Sequence, residues 1–186
     1  MEVRLVTPAA VEPVSLAEVK AHCRIDGDAD DALLQSLMIA VRRHGEALTN
    51  RVFVTSEWEL RFQNPLGKSV VLPVNPCTAC VSVHVDGSAV DPQLYSFTPS
   101  ALQAQESPMC ALLNPAEAFP AGAEIVMRVQ AGWPVDSFPA DIKAWMLVRI
   151  NTLYEQRESV VAGIVTELRR GFVDCLLDAY RIHGGM

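Results

Sequence analysis

Apolar residues recur at three- and four-residue intervals in two stretches of the chain, which is the spacing of a helix that buries one face. The first stretch follows an acidic run at 26–31 and carries Leu33, Leu34, Leu37, Met38, Val41, Ala47 and Leu48. The second begins near Asp141, should end near Arg157, and carries Ile142, Trp145, Met146, Val148, Ile150 and Leu153. Both stretches are therefore predicted to be core-facing helices.

Between the helical stretches the apolar residues alternate with polar ones, a pattern that is typical of half-buried strands. The alternation is clearest at 58–62 and at 81–85, and Asp86-Gly87 directly after the latter indicates a hairpin turn. Further short strands are predicted at four segments between proline-bearing loops, namely 69–72, 94–97, 110–113 and 124–130. The middle of the chain should form a small, mostly antiparallel β module.

The two ends of the chain add shorter elements to this layout. The first thirteen residues contain Pro8 and Pro13 and are expected to form an extended arm. Ser15-Leu16-Ala17-Glu18 is a capping box, in which the Ser15 hydroxyl and the Glu18 carboxylate satisfy each other's backbone N–H groups at a helix start. This short helix should run to about Arg24. Near the other end, a last amphipathic segment carries apolar residues at helical spacing, namely Phe172, Cys175, Leu176, Ala179 and Tyr180.

The order of these elements predicts an α+β fold, in which N-terminal and C-terminal helices build one helical core and a small antiparallel β module is inserted between them. Residues 1–51 are expected to hold the N-terminal arm and helices. Residues 52–138 should form the β module, and residues 139–186 the C-terminal helices and tail that complete the helical core.

Composition limits the classes of function. The 186 residues are 50% hydrophobic and 20% charged, which is typical of a globular chain with a substantial core. The formal net charge of −7 has the wrong sign for a protein that holds nucleic acid or an anionic membrane by bulk electrostatics. The apolar run at 145–148 is cut off by Lys143 and Arg149, so no membrane association is expected.

Cys77-Thr78-Ala79-Cys80 has the spacing of a zinc knuckle or of a redox pair. A zinc site needs two more ligands, and His84 is the nearest candidate. A redox pair would be expected at the N-terminus of a helix, whereas a strand is predicted to follow here. We therefore expect ordinary loop cysteines and no metal or cofactor, with a small metal- or thiol-dependent enzyme that uses Cys77, Cys80 and His84 as the alternative.

The order of several segments along most of the chain resembles the head-tail connector, or neck adaptor, proteins of long-tailed double-stranded DNA bacteriophages and related particles. The resemblance rests on Glu12–Asp26, Asp30–Leu34, Ala47–Arg51, Trp58–Leu60, Ala131–Pro134, Phe138–Ala144, Leu153–Glu158 and Leu176–Arg181. Residues 86–120 contribute least to it. The matching residues are structural in type and contain no catalytic signature.

This resemblance implies a structural virion protein rather than an enzyme. Such adaptors form a homo-oligomeric ring, usually a dodecamer, between the portal protein and the next neck or tail protein. The ring continues the channel through which double-stranded DNA passes without sequence-specific binding. The protein would lie in the virion neck, and in the host cytoplasm during assembly. The family's C-terminal segment commonly reaches toward the portal, which implies a portal-side contact at Tyr180, Arg181, Ile182 and His183.

A third hypothesis is a small binding module that recognises a host protein through the β module. Copurification with one stoichiometric host partner would favour it over the connector. One equivalent of bound zinc that is lost on Cys80→Ser would instead favour the metal-dependent enzyme.

Overall fold

The computed structural model describes residues 1–63, 69–102, 110–156 and 170–182. Its α-helices are α1 (Leu16–Cys23), α2 (Asp31–Thr49), α3 (Ala140–Glu155) and α4 (Arg170–Asp174). Its strands are β1 (Glu2–Thr7), β2 (Ser56–Gln63), β3 (Val70–Val71), β4 (Cys77–Val85), β5 (Ser88–Ala89), β6 (Tyr95–Thr98), β7 (Leu112–Pro115) and β8 (Glu124–Ala131). Short 3-10 helices span Pro92–Leu94, Val135–Ser137 and Cys175–Tyr180. The predicted α+β class is confirmed.

The chain folds into two compact units. The β unit consists of Met1–Ala10 and Val54–Pro134, and the helical unit consists of Val11–Phe53 and Val135–Met186. The helical unit is thus made from two segments, one between β1 and β2 and one after β8. The domain boundaries predicted after residues 51 and 138 stay predictions. None of the helices in the described part of the chain has the length and apolar character needed to cross a membrane.

The helical unit begins with the predicted capping box. The Ser15 N–H donates to Glu18 Oε2 at 2.8 Å, and the Glu18 N–H donates to Ser15 Oγ at 3.2 Å. Helix α1 ends where Arg24 adopts a left-handed conformation with φ 54°, so that its N–H reaches the Lys20 carbonyl. Both predicted ends of this helix are therefore confirmed.

Helices α2 and α3 pack together and supply most of the core of the helical unit. Their buried residues repeat at three- and four-residue intervals, as the sequence predicts, and include Leu34, Met38, Val41, Ile142, Trp145, Met146 and Ile150. Gly45 marks the closest approach, because a Cβ atom there would lie 2.5 Å from the Phe53 ring and 2.9 Å from the Trp145 ring. A glycine at this position lets two buried aromatic rings lie against the α2 backbone.

The last amphipathic segment differs from its prediction in detail. Residues 170–174 are α-helical, but Cys175–Tyr180 form a 3-10 helix. A 3-10 helix repeats every three residues, so Leu177 and Tyr180 share its buried face. Cys175, which the helical spacing placed on that face, is exposed.

The β unit contains a five-stranded sheet in the order β1-β2-β8-β4-β5 and a three-stranded sheet in the order β3-β7-β6. All pairs are antiparallel, and the β4–β5 hairpin turns at Asp86-Gly87 as predicted. The buried face of the five-stranded sheet carries three adjacent side chains on neighbouring strands, Leu60, Met127 and Val83. The N-terminal arm is not merely extended, because it pairs with β2 as edge strand β1.

Gly132 allows two backbone segments of the β unit to pass close together. Its φ is 105°, and a Cβ atom there would lie 2.3 Å from the Val54 backbone. The next residue, Trp133, accepts a hydrogen bond at its carbonyl from the Thr55 N–H at 3.2 Å and donates from Nε1 to the Leu102 carbonyl at 2.8 Å. The Gly132-Trp133-Pro134 segment is thus a close backbone crossing with a buried tryptophan beside it.

Candidate functional site

The C-terminal residues implied by the family resemblance lie against the helical unit through Tyr180. This side chain is only 5% exposed, and its hydroxyl donates to Asp141 Oδ2 at 3.3 Å. Burial, followed by the nearby Asp141 carboxylate, raises the pKa of the Tyr180 hydroxyl. Tyr180 is therefore an internal anchor of the segment.

The backbone around Tyr180 is also held, by the residues that end α2. Arg51 is 3% exposed, and its Nε donates to the Tyr180 carbonyl at 2.6 Å. The Ile182 N–H donates to the Thr49 carbonyl at 2.9 Å, and Asn50 Nδ2 donates to the Ile182 carbonyl at 3.0 Å. These bonds fix the backbone of the C-terminal segment up to Ile182.

The other two candidate residues are Arg181 and His183. The Arg181 guanidinium is half-buried and lies 3.3 Å from Asp178 Oδ1. His183 lies outside the described residues. Arg51 and Asp141 lie in segments that carry the family resemblance, but sequence patterns did not indicate their roles, since both contacts join positions far apart in the chain.

A second polar cluster joins α3 to the end of α4. Asp174 Oδ1 accepts from Arg149 at 2.6 Å and from Trp145 Nε1 at 2.9 Å. Burial alone would raise the pKa of Asp174, but the hydrogen bonds from Arg149 and Trp145 outweigh it and lower that pKa. This carboxylate is therefore an ionised structural link that fastens the C-terminal segment to α3.

The outward face of the five-stranded sheet carries charges of both signs. Glu59, whose side chain is 11% exposed, lies within 3.6 Å of three guanidinium groups, those of Arg4, Arg61 and Arg128. Glu57 and Glu124 lie 3.9 Å and 3.3 Å from Arg128 and Arg61. We call these six residues the sheet charge cluster. Its three arginines are matched by three glutamates, so the cluster offers little net attraction to a phosphate backbone.

Cys77, Cys80 and His84 all lie on β4, opposite Ala131, Val129 and Val126 of β8, so the two cysteines belong to a strand and not to the expected loop. Burial raises the pKa of the Cys77 thiol to about 12 and also raises that of Cys80. In the metal-free chain both thiols hold their protons near neutral pH, whereas a nucleophilic cysteine must be a thiolate. Among the residues that the structure describes, no group of three or more His, Cys, Asp or Glu side chains is arranged to hold a metal.

Comparison with known protein families finds a match over part of the chain. Residues 13–86, which include α1, α2 and strands β2 to β4, match the model of the phage gp6-like head-tail connector protein family. The predicted resemblance to head-tail connector proteins is confirmed. No curated protein sequence matches the chain significantly.

Solved structures share the fold of the whole chain. A chain in the neck of an empty gene transfer agent (GTA) particle, computed with C6 symmetry, is 20% identical with a TM-score of 0.78. Chains in the virion of the native particle and in its neck computed with C12 symmetry are 18% and 17% identical, each with a TM-score of 0.77. Each match covers 100% of this chain and 98% of the other. At these identities the likeness shows a shared fold.

Proposed function

We propose that this chain is a structural head-tail connector in the neck of a phage-like particle. One observation carries the proposal: the segment that matches the connector family lies within a fold that agrees with neck chains over its full length. The proposed role is non-enzymatic. It is supported by the raised pKa values of the buried Cys77 thiol and the half-buried Cys80 thiol, and by polar clusters that are engaged in structural links.

In this role the chain acts as a homo-oligomeric ring. The symmetric necks in which similar chains occur, computed with C6 and C12 symmetry, support a closed ring and favour a dodecamer. Rotational closure requires each copy to present two different and complementary surfaces to its neighbours. The ring would lie between the portal and the next neck or tail protein.

The portal-side contact is assigned to the C-terminal segment at Tyr180, Arg181, Ile182 and His183. Tyr180 is buried and Ile182 is bonded through its backbone, so these two residues set the position of the segment. The Arg181 side chain and the residues beyond Ile182 would then make the contact itself. A segment held by Arg51 at its base could present the same side chains in every copy of the ring.

The channel role is supported by charge. A wall along which double-stranded DNA moves should not hold phosphates, because each neutralised phosphate strengthens binding through counterion release. The net charge of −7 and the matched sheet charge cluster both satisfy this requirement. The protein would reach the particle neck after assembly in the host cytoplasm.

Particles produced without this chain provide the test of function. We expect DNA-containing heads and separate tails that do not join, and addition of the purified chain should restore joined particles. Joined, infectious or transducing particles in its absence would overturn the proposal. Copurification with a single host protein and no effect on joining would instead support a host-binding module.

A further inference from the structure

The outward face of α2 is unusually poor in charge for a long surface helix. Leu33 and Ile39 are 38% and 39% exposed, and Ala32, Ala40 and Ala47 are exposed beside them. Every residue of α2 is described, and Arg43 is the one charged side chain that the exposed positions carry. We call this surface, formed by Ala32, Leu33, Ser36, Ile39, Ala40, Arg43 and Ala47, the α2 face. Surface helices ordinarily place charged residues opposite the core.

The other charges of α2 are directed into intramolecular pairs. Asp31 accepts from Lys20 at 2.6 Å, while Arg42 binds Glu12 at 2.7 Å and Glu46 at 3.0 Å. These side chains are half-buried along the flanks of the helix. The apolar character of the α2 face therefore results from where the charges lie, not from a helix that lacks them.

Edge strand β1 is another exposed apolar surface, with Val3 and Leu5 at 42% and 44% exposure. It has the features that protect an edge from pairing. Glu2 and Arg4 alternate with the apolar residues, the register shifts between Leu5 and Thr7, and Pro8 follows. The α2 face, by contrast, carries a single charge, that of Arg43, among six uncharged residues.

From this contrast we infer that the α2 face packs against a second copy of this chain and forms one of the two complementary surfaces of the ring. The inference rests on the proposed connector function, which requires such surfaces. Helix α2 is 19 residues long, about 28 Å, so it offers a continuous ridge to the next copy. Exposed acids elsewhere in the helical unit, Asp26, Asp28 and Glu155, provide a complementary charge for Arg43.

A charge placed in the α2 face tests the inference. Ile39→Glu should leave the fold intact, because the position is exposed, but should reduce ring formation at least tenfold when the chain is mixed with the portal protein of its particle. Val81→Glu is the matched control, since Val81 is 52% exposed on β4 and lies outside the α2 face. It should assemble like the unmodified chain. Rings would be counted by electron microscopy, and folding checked by circular dichroism.

A photocrosslinking residue at Ala40 gives a second readout that does not depend on disrupting the ring. We expect chain-to-chain crosslinks at Ala40 in the assembled state and none at Val81. Normal rings from Ile39→Glu, or no crosslink from Ala40 within rings, would overturn the inference while the connector function stands. If the unmodified chain forms no ring with its portal, the connector proposal itself fails.

Discussion

Arg51 and Tyr180 are joined by a hydrogen bond of 2.6 Å between the Arg51 Nε and the Tyr180 carbonyl, although 129 positions separate them in the chain. Arg51 lies just beyond the end of α2, and both residues are buried. The contact closes the helical unit by fastening its C-terminal segment to its longest helix.

Arg51→Met should therefore destabilise the helical unit and loosen the C-terminal segment. The substitution leaves a buried carbonyl without its charged donor, a loss of about 1–3 kcal/mol in the free energy of unfolding. Urea denaturation would measure this loss, and hydrogen exchange should show faster exchange of the Ile182 amide.

The control for this experiment is Arg43→Met, which removes an exposed arginine from α2 and should change the free energy of unfolding by less than about 0.5 kcal/mol. Equal effects from the two variants, with unchanged exchange at Ile182, would show that the Arg51 contact does not hold the segment.

Gly45→Ala should destabilise the protein although alanine favours helices. Helix propensity alone would stabilise α2 by about 1 kcal/mol. The added methyl would lie 2.5 Å from Phe53 and 2.9 Å from Trp145, however, and both rings are fully buried. Overpacking of this kind costs about 1–3 kcal/mol, so we expect a net loss in the free energy of unfolding.

Gly171→Ala is the comparison for this effect, because a Cβ atom at Gly171 has open space around it within α4. It should be neutral or slightly stabilising. A gain in stability from Gly45→Ala, measured by the same urea titration, would mean that the rings can move away from α2 without cost.

Ionisation of the Glu18 carboxylate should make the free energy of unfolding depend on pH. The hydrogen bond from Lys143 at 2.7 Å, followed by those from Ser15, lowers the pKa of Glu18 to about 2. A pKa below the unfolded value means that the ionised group stabilises the fold above about pH 4.5, and that this contribution is lost as the pH falls toward 2. The pair is substantially exposed, so we expect less than about 1 kcal/mol.

Glu18→Gln keeps a side-chain acceptor for the capping box but removes the charge. The difference in unfolding free energy between the unmodified protein and this variant should be present at pH 6, smaller at high salt, and lost as the pH falls through about 2. A difference that stays constant over this range would show that the charge of Glu18 contributes nothing.

Neutralising the glutamates of the sheet charge cluster should create an affinity for DNA. Glu57→Gln, Glu59→Gln and Glu124→Gln together would leave three arginines without their partners. We expect tighter binding to double-stranded DNA in fluorescence anisotropy. The slope of the logarithm of the binding constant against the logarithm of salt concentration should steepen by up to roughly 3, since each new phosphate contact adds about 0.9.

A second triple variant, Asp26→Asn, Asp28→Asn and Glu155→Gln, removes the same number of charges far from these arginines in the sequence. It should bind DNA much less tightly than the cluster variant. Equal gains would show that net charge, and not the matching of arginines by glutamates, keeps the protein from holding DNA.

Local patterns predicted the elements whose determinants are local. The stripe on α2, the capping box at Ser15 and the turn at Asp86-Gly87 each depend on residues within a few positions of one another, and each is present. The strand predicted at 81–85 is also present, but it begins earlier, at Cys77, where pairing with β8 extends it. The resemblance to connectors suggested the proposed function, which no single motif indicated.

The remaining features depend on partners that are distant in the chain. Strand β1 exists because β2 offers it an edge, so its own sequence suggested only an extended arm. Leu177 replaces Cys175 on the buried face because the segment adopts a three-residue repeat when it docks. No local pattern indicated that Arg51 would hold the C-terminal segment, because this role depends on the position of Tyr180 in the folded helical unit.

The most direct test of the connector function is the structure that the purified chain forms with the portal protein of its own particle. Native mass spectrometry and electron microscopy should show a closed ring of identical copies stacked on one end of the portal, with the channels aligned. A chain that stays monomeric in the presence of portal, or that binds it without forming a ring, would contradict this function.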